Sequence, residues 1–221
     1  SITSTTATVS GTDLAGNYYA GTDSITFTID NLKPTVNLTD TDSDNLVSNS
    51  NVVTLTATFS ESMTSTPTIS LTGIDSNIPM IATSSSSQWI YTWTVSAVSS
   101  ISSTTATVSG TDLKGNYYAG TDSITFTIDN TIPTVDISDT DVDNIISNTD
   151  VVTVTAAFSE SMAATPTISL TGIDSNILMT ATSSPSRWVY SWTVSVVSSI
   201  TSTTATVSGT DLAGNYYAGT D

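Results

Sequence analysis

The chain has 221 residues, no cysteine and no histidine, and its 20 acidic against 3 basic residues give a formal net charge of −17. These counts exclude disulfides, cysteine or histidine metal sites and catalysis by a histidine base. Lys33, Lys114 and Arg187 cannot form the basic patch that nucleic acid requires, and no apolar stretch reaches the roughly 20 residues of a membrane span, so we expect neither nucleic-acid binding nor membrane insertion.

Short runs that alternate apolar and hydroxyl residues predict an all-β fold. In residues 52–59, Val53, Leu55 and Phe59 point one way and the threonines point the other, which is typical of an antiparallel sheet with one solvated face. The aromatic side chains of residues 89–95 alternate in the same way and are expected in the core. No apolar period of 3.6 residues predicts a helix. The strands predicted for one period are 24–29, 35–38, 52–59, 68–71, 78–83, 89–95 and 105–109, with a turn at 73–77.

The sequence contains a tandem repeat. Residues 1–23 recur unchanged at 199–221 and with two changes at 100–122, so the spacing is 99 residues. Residues 24–122 and 123–221 differ at 23 of 99 positions. A period near 100 residues is the length of an independently folding β-sandwich domain and too long for a solenoid repeat. We therefore expect tandem antiparallel β-sandwich domains, each with its own core.

Proline-containing joints mark the predicted domain boundaries. Residues 30–34 and 129–133 each follow the last predicted strand of a domain, and proline makes such a joint short and stiff. The prediction is that residues 1–30 are the last two strands of a truncated domain and residues 31–130 a complete domain. Residues 131–221 then form a domain that lacks its final strand, which the next Ser-Ile-Thr-Phe-Thr-Ile-Asp would supply.

Three segments resemble a known family. The sequences Thr-Phe-Thr-Ile-Asp-Asn-Leu-Lys-Pro (26–34), Ala-Thr-Phe-Ser-Glu-Ser-Met (57–63) and Gly-Thr-Asp-Leu-Ala-Gly-Asn (11–17) are similar to the bacterial immunoglobulin-like (Big-type) tandem repeats of large secreted surface proteins and adhesins. The resemblance covers essentially the whole chain. It implies tandem seven-stranded Ig-like sandwiches, an extracellular location on the bacterial cell surface, and a role as stalk or extender. The Cys…Trp…Cys core of antibody domains is absent, so the likeness is architectural.

The loop after the first strand of the second domain has the ligand spacing of a calcium loop. Oxygen side chains stand at loop positions 1, 3, 5, 9 and 12, in the register with which EF-hand loops wrap a cation. Asn144 replaces the glycine at position 6, and an aspartate replaces the longer glutamate at position 12. The sequence therefore predicts Ca²⁺ at Asp139, Asp141, Asp143, Ser147 and Asp150.

The first domain carries a weaker copy of this loop. Its predicted ligands are Asp40, Asp42, Asp44, Ser48 and Asn51, with one carboxylate fewer, so we expect lower affinity. The alternative for both loops is an Asx-rich turn, in which side chains cap backbone N–H groups. We favour calcium, because three aspartates within five residues repel one another and all three persist in both copies.

A second acidic group is more dispersed in the sequence. Glu160, Asp211 and Asp129 would meet at the joint of a sandwich array and share a cation, and Glu61, Asp112 and Asp30 are their counterparts. The alternative is a solvated glutamate beside a type I turn, capped by the aspartate and with Gly115 at positive φ. We favour the turn here.

Three roles follow from these features. The first is a calcium-stiffened extender whose partners are the neighbouring repeats of the same polypeptide. The second is a module that binds a glycan or protein through the Tyr-Tyr loops at 18–19, 117–118 and 216–217, although we expect one tyrosine of each pair to pack inward. The third is a homo-oligomeric fibre built by strand donation between chains. We expect no enzymatic activity, because the acids lie in exposed loops of a duplicated module and hydrolysis needs two acids in a cleft.

Overall fold

The structure is a computed structural model that describes residues 3–96, 102–195 and 202–219. These residues form strands, turns and bends, without a helix. None of them therefore forms a helix long and apolar enough to cross a membrane. The first strands are β1 (Thr3–Thr8), β2 (Gly11–Thr12), β3 (Tyr18–Tyr19), β4 (Ser24–Ile29), β5 (Val36–Thr39), β6 (Leu46–Val47), β7 (Val52–Phe59), β8 (Thr68–Leu71), β9 (Asp75–Pro79), β10 (Ile81–Ala82), β11 (Gln88–Thr94), β12 (Ser103–Thr111) and β13 (Tyr117–Ile128). The remaining strands are β14 (Val135–Asp139), β15 (Val151–Phe158), β16 (Thr167–Leu170), β17 (Asp174–Leu178), β18 (Thr180–Ala181), β19 (Arg187–Thr193), β20 (Ala205–Thr210) and β21 (Tyr216–Tyr217).

The chain divides into two compact units. The first unit consists of Ser1–Asp42, Val53–Trp93 and Thr104–Thr125. The second unit consists of Ser43–Val52, Thr94–Ser103 and Phe126–Asp221. The predicted boundaries at residues 30 and 130 stay a prediction.

The first unit contains two larger sheets and two short two-stranded sheets. One sheet has the order β10-β11-β7-β5, and the strands β13, β12, β8 and β9 follow one another in the second. The alternation predicted for β7 is confirmed, because Val53, Leu55, Ala57 and Phe59 are all buried and the residues between them are not. In the short sheets β1 pairs with β4 and β2 with β3, both antiparallel.

The second unit repeats this arrangement. One sheet has the order β14-β15-β19-β18 and the other the order β17-β16-β20-β21. The core is formed by apolar side chains of β15, β16 and β20 together with Met162, Met179 and Tyr217, and Trp188, Tyr190 and Trp192 pack against it half-buried. The end of β13 also belongs to this unit, where Thr127 and Ile128 pair in parallel with Leu46 and Val47 of β6.

Most predicted strands occur where the alternation placed them, and two details of the prediction were wrong. The segment 78–83 is divided at Met80 into β9, which pairs with β8, and β10, which pairs with β11. The chain therefore leaves one sheet and joins the other at this buried methionine, which is 3% exposed. The turn predicted at 73–77 is shorter, because Asp75 already begins β9. The all-β prediction is confirmed for the described residues.

Candidate metal centre

Two groups of acidic side chains lie close together, one in each unit. Within each group, carboxylate oxygens of the three residues lie within 4.8 Å of one another. The groups are equivalent positions of the repeat, and we name them the first and second acidic triads: Asp30, Glu61 and Asp112, and Asp129, Glu160 and Asp211. The more dispersed acidic group of the sequence is therefore brought together in both copies.

Each triad is assembled from three separate strand ends. In the first, Asp30 directly follows β4, Glu61 lies two residues beyond β7, and Asp112 directly follows β12. Asp112 is held by an isolated antiparallel bridge to Met63, and Asp211 by the matching bridge to Met162. Because regular strands fix these ends, the backbone position of every acid is determined by the sheets.

The aspartate after β12 or β20 is fully buried and anchors each triad. Asp112 Oδ1 accepts hydrogen bonds from the backbone N–H groups of Lys114 and Asn116, at 2.8 and 2.9 Å, and its Oδ2 accepts one from Asn116 Nδ2 at 2.8 Å. Gly115 has φ +94°, as the predicted turn requires. The capped turn and the acidic group therefore coexist, although the sequence presented them as alternatives.

The same asparagine also fixes the strand end that carries the first member of the triad. Asn116 Nδ2 donates to the carbonyl oxygen of Asp30 at 3.3 Å, and Asn215 Nδ2 donates to that of Asp129 at 3.0 Å. Asp129 Oδ1 in turn accepts a hydrogen bond from Thr131 N at 3.0 Å, in an Asx turn at the proline-containing joint. In each unit one asparagine side chain thus hydrogen-bonds both the backbone of the joint and the buried carboxylate.

The electrostatics of the triads favour a bound cation. Burial raises the pKa of the Glu160 carboxyl, and the negative charges of Asp211 and Asp129 raise it further. Burial is also the largest cause that raises the pKa of the Glu61 carboxyl, and the negative charges of Asp112 and then Asp30 raise it further. Burial also acts to raise the pKa of Asp112, but its hydrogen bonds from Asn116 and the backbone prevail and lower it. In the first triad a glutamate with a raised pKa is thus held beside an aspartate with a lowered pKa, and a hard cation with oxygen ligands would relieve the repulsion between carboxylates.

The loops predicted to bind calcium adopt a series of Asx turns. Asp139 Oδ1 accepts a hydrogen bond from Asp141 N at 2.8 Å, and the side chains of Asp141 and Asp143 make the same contact with the residue two positions on. Asp150 Oδ2 accepts hydrogen bonds from Ser147 N and Oγ at 2.7 and 3.0 Å, which lowers the pKa of Asp150. In the residues described, three acids come within 4.8 Å of one another in the triads and not in these loops.

The first copy of the loop forms turns of the same kind and also contains β6. Asp40 Oδ1 accepts from Asp42 N at 2.8 Å, Asp44 Oδ1 accepts from Leu46 N at 3.1 Å, and Asn51 Oδ1 accepts from Ser48 N at 2.6 Å. Asn45 and Asn144, at loop position 6, have φ of 60° and 58°, so asparagine fills the left-handed position of the expected glycine. Calcium at these loops stays a prediction.

The tyrosine pairs divide as expected in the two later copies. Tyr118 and Tyr217 are 6% and 7% exposed and meet Phe59 and Phe158 edge to face, at 6.0 and 6.3 Å between ring centroids. The other member of each pair, Tyr117 or Tyr216, is exposed. In the first copy both Tyr18 and Tyr19 are exposed, because residues 1–30 carry only the two-stranded sheets.

Comparison with known proteins finds likenesses among solved structures. No protein-family model matches the chain, and no curated protein matches it. A solved structure of a 1.5-MDa bacterial ice-binding adhesin, determined to explain host cell surface retention, is 20% identical, covers 96% of this chain and 70% of its own, and has a TM-score of 0.53. A Ca²⁺-stabilised adhesin that helps an Antarctic bacterium to reach out and bind ice is 21% identical over 97% of this chain and 54% of its own, with a TM-score of 0.46. The first of these shows that the chain has the fold of a domain found in a bacterial adhesin.

Proposed function

We propose that this chain is an extender segment of a large bacterial adhesin or extracellular fibre, and that bound Ca²⁺ stiffens it. The observation that carries the proposal is the pair of acidic triads, one at each proline-containing joint of the repeat. A cation that binds there holds the joint residue Asp30 or Asp129 against the strand ends that carry the other two acids. The chain loses freedom at the position where successive repeats connect.

Calcium suits this ligand set better than the other common divalent ions. The triads offer oxygen ligands alone, which excludes a preference for zinc or copper. Ca²⁺ accepts irregular sets of six to eight oxygens, whereas Mg²⁺ requires a near-ideal octahedron and gives up its water reluctantly. Three carboxylates, neighbouring carbonyl groups and water would complete a calcium site. The loops at 40–51 and 139–150 are the second candidate location.

Two further features support an extender. The repeats are near-identical, with 23 differences in 99 positions, as expected of a spacer that grows by duplication. The structure with the same fold belongs to a bacterial adhesin, so an extracellular or cell-surface location fits this chain as well. We therefore propose a seven-stranded Ig-like sandwich at 31–130 and a second Ig-like domain at 131–221, with neighbouring repeats as partners and without enzymatic activity.

A binding module is the second candidate function. The observation that favours it is the exposed tyrosine beside each buried one, since Tyr117 is 52% and Tyr216 is 58% exposed. Tyrosine contributes large contact area at low entropic cost and is enriched in surfaces that bind glycans and proteins. A ligand that binds the native chain and not the Tyr117→Ser, Tyr216→Ser double variant would establish this function.

Titration calorimetry with calcium locates the cation. We expect the Glu61→Gln, Glu160→Gln double variant, which keeps side-chain shape and removes one charge from each triad, to bind Ca²⁺ about tenfold more weakly or worse. If the loops bind calcium, Asn51→Asp raises the calcium affinity of the first loop and Asp150→Asn lowers that of the second, because affinity in such loops follows ligand charge. The exchanged residues make the same turn, so the comparison changes charge with little change in shape.

Each result selects a site. Affinity that falls in the double glutamine variant and is equal before and after the exchanges at 51 and 150 assigns calcium to the triads and rejects the loops. The reverse pattern assigns it to the loops. Affinity unchanged in all three variants contradicts both.

A further inference from the structure

Within the second unit, a turn of one repeat lies against a loop of the other. The turn is 211–215 in the second repeat and the loop is 47–51 in the first, and both belong to this unit. A Cβ placed on Gly214 would lie 3.7 Å from Ser48 Oγ, which is ordinary van der Waals contact. Ser48 is 4% and Ala213 is 5% exposed. Small side chains are therefore buried where the turn approaches the loop.

Hydrogen bonds hold the same loop against the joint between the two repeats. Asp129 N donates to the carbonyl oxygen of Val47 at 2.9 Å, and Asn49 N donates to Asn130 Oδ1 at 2.6 Å. The carbonyl oxygen of Asp129 in turn accepts from Asn215 Nδ2 in the turn at 3.0 Å. Loop, joint and turn are thus connected by one series of hydrogen bonds.

The turn does not bury its third residue by itself. The identical sequence Asp-Leu-Ala-Gly-Asn occurs at 13–17, where Ala15 is exposed. Lys114 has this position in the turn at 112–116 and is also exposed. The burial of Ala213 therefore comes from the loop that lies against its turn, and a longer side chain at this position would displace that loop.

The two repeats differ in charge at both sides of this contact. The turn carries Lys114 in the first repeat and Ala213 in the second, and the loop ends in Asn51 in the first and Asp150 in the second. The contact in the second unit therefore joins a neutral loop to a neutral turn. The repeats also contain the charged form of each side, a lysine turn and an aspartate loop.

We propose that this contact is a docking interface between consecutive repeats, and that the turn and the loop are matched in charge. A turn with alanine accepts a loop that ends in asparagine, as observed. A turn with lysine, as at Lys114, accepts a loop that ends in aspartate, as at Asp150. The inference goes beyond the extender role, because it specifies which repeats fit next to each other, and it does not depend on bound calcium.

The geometry of the loop connects the two matched positions. Ser48 Oγ, which the turn approaches, donates to Asn51 Oδ1 at 3.2 Å. Asp150 caps its own loop in the same way, since its Oδ2 accepts from Ser147 N and Oγ. An aspartate at position 51 would therefore keep the loop conformation and place its charge within about 8 Å of the turn, roughly the Debye length at physiological salt.

Amide hydrogen exchange of the whole chain in chelator tests the interface. We expect Ala213→Lys to make the amides of Asn49 and Asp129 exchange about tenfold faster or more, because the loop is displaced from the turn and the joint. The turn itself tolerates lysine, since Asp112 caps the same turn around Lys114.

Leu212→Lys is the matched control for this substitution. It adds the same charge to the same turn and the same acidic surroundings, at a residue that is 57% exposed. We expect it to leave both exchange rates within about twofold of the native rates, as surface substitutions do. Exchange that is unchanged in Ala213→Lys, or equally fast in Leu212→Lys, would overturn the interface.

Adding Asn51→Asp to Ala213→Lys tests the charge match. We expect the double variant to regain most of the lost protection at low salt and to lose it again at about 0.5 M salt, where such a pair is screened. Ala213→Glu reverses the charge, and Asn51→Asp should not restore its protection. A double variant that exchanges as fast as Ala213→Lys, or equal recovery with lysine and glutamate, would overturn the matching of charge.

Discussion

We expect calcium at 10 mM to raise the melting temperature of the chain by about 5 to 10 °C. Extracellular calcium modules bind with dissociation constants of about 10⁻⁴ to 10⁻³ M. For a site at the tight end of this range, 10 mM is about 100 times the dissociation constant and stabilises the folded state by about 2.7 kcal/mol, because the unfolded chain does not gather the three carboxylates. A change of 1 kcal/mol shifts the melting temperature of chains this size by about 2 to 4 °C. Circular dichroism melts in calcium and in chelator measure the difference.

Two controls separate binding from general screening of the negative charge. Magnesium at the same concentration supplies equal charge and should give a much smaller shift, because three carboxylates at strand ends do not form its octahedron. The Glu61→Gln, Glu160→Gln variant should lose most of the calcium shift while melting in chelator at or above the native temperature, since it removes a repelled carboxylate from each triad. Melting temperatures that are equal in calcium and chelator would reject the metal assignment.

We expect Phe126→Ala to lower the free energy of unfolding by about 3 to 5 kcal/mol, the range for truncating a fully buried phenylalanine. Phe27→Ala, in the same six-residue sequence, changes it by less than about 0.5 kcal/mol in dilute solution, where the ring is half exposed. The pair isolates burial, because the residue type and the surrounding six-residue sequence are identical. Urea unfolding followed by tryptophan fluorescence measures both.

Equal destabilisation by the two substitutions would mean that Phe27 is buried in the dilute chain as Phe126 is.

The alternation of side chains was sufficient to predict most strands. β4, β7 and β8 begin and end at the predicted residues, because apolar and hydroxyl residues alternate there without interruption. β6 was missed because Leu46 and Val47 are only two residues within an acidic loop, and they become a strand through a parallel pairing with residues more than 80 positions away. The division between β9 and β10 was missed for a similar reason, since a change of partner sheet leaves no local signal.

The acidic sites show what the sequence could and could not establish. Residues at 139–150 form a recognisable pattern because the spacing is local, and the structure shows that most of these side chains cap backbone N–H groups two residues on. No local sequence pattern connects Asp129, Glu160 and Asp211, because they are separated by strands whose lengths could be predicted but whose topology could not. Their identical positions in both repeats were the available signal. The sequence also predicted a capped turn at Asp211. The two interpretations could not be separated, because one buried aspartate takes part in both arrangements.

Small-angle scattering of the chain with and without calcium tests the extender proposal most directly. The Glu61→Gln, Glu160→Gln variant serves as the control. The proposal predicts that calcium gives an extended particle with one well-defined longest dimension, that chelation gives a broader distribution of shapes, and that the glutamine variant responds little to either. A native chain that remains flexible in calcium, with the same distribution as in chelator, would contradict calcium stiffening and favour an independent binding module.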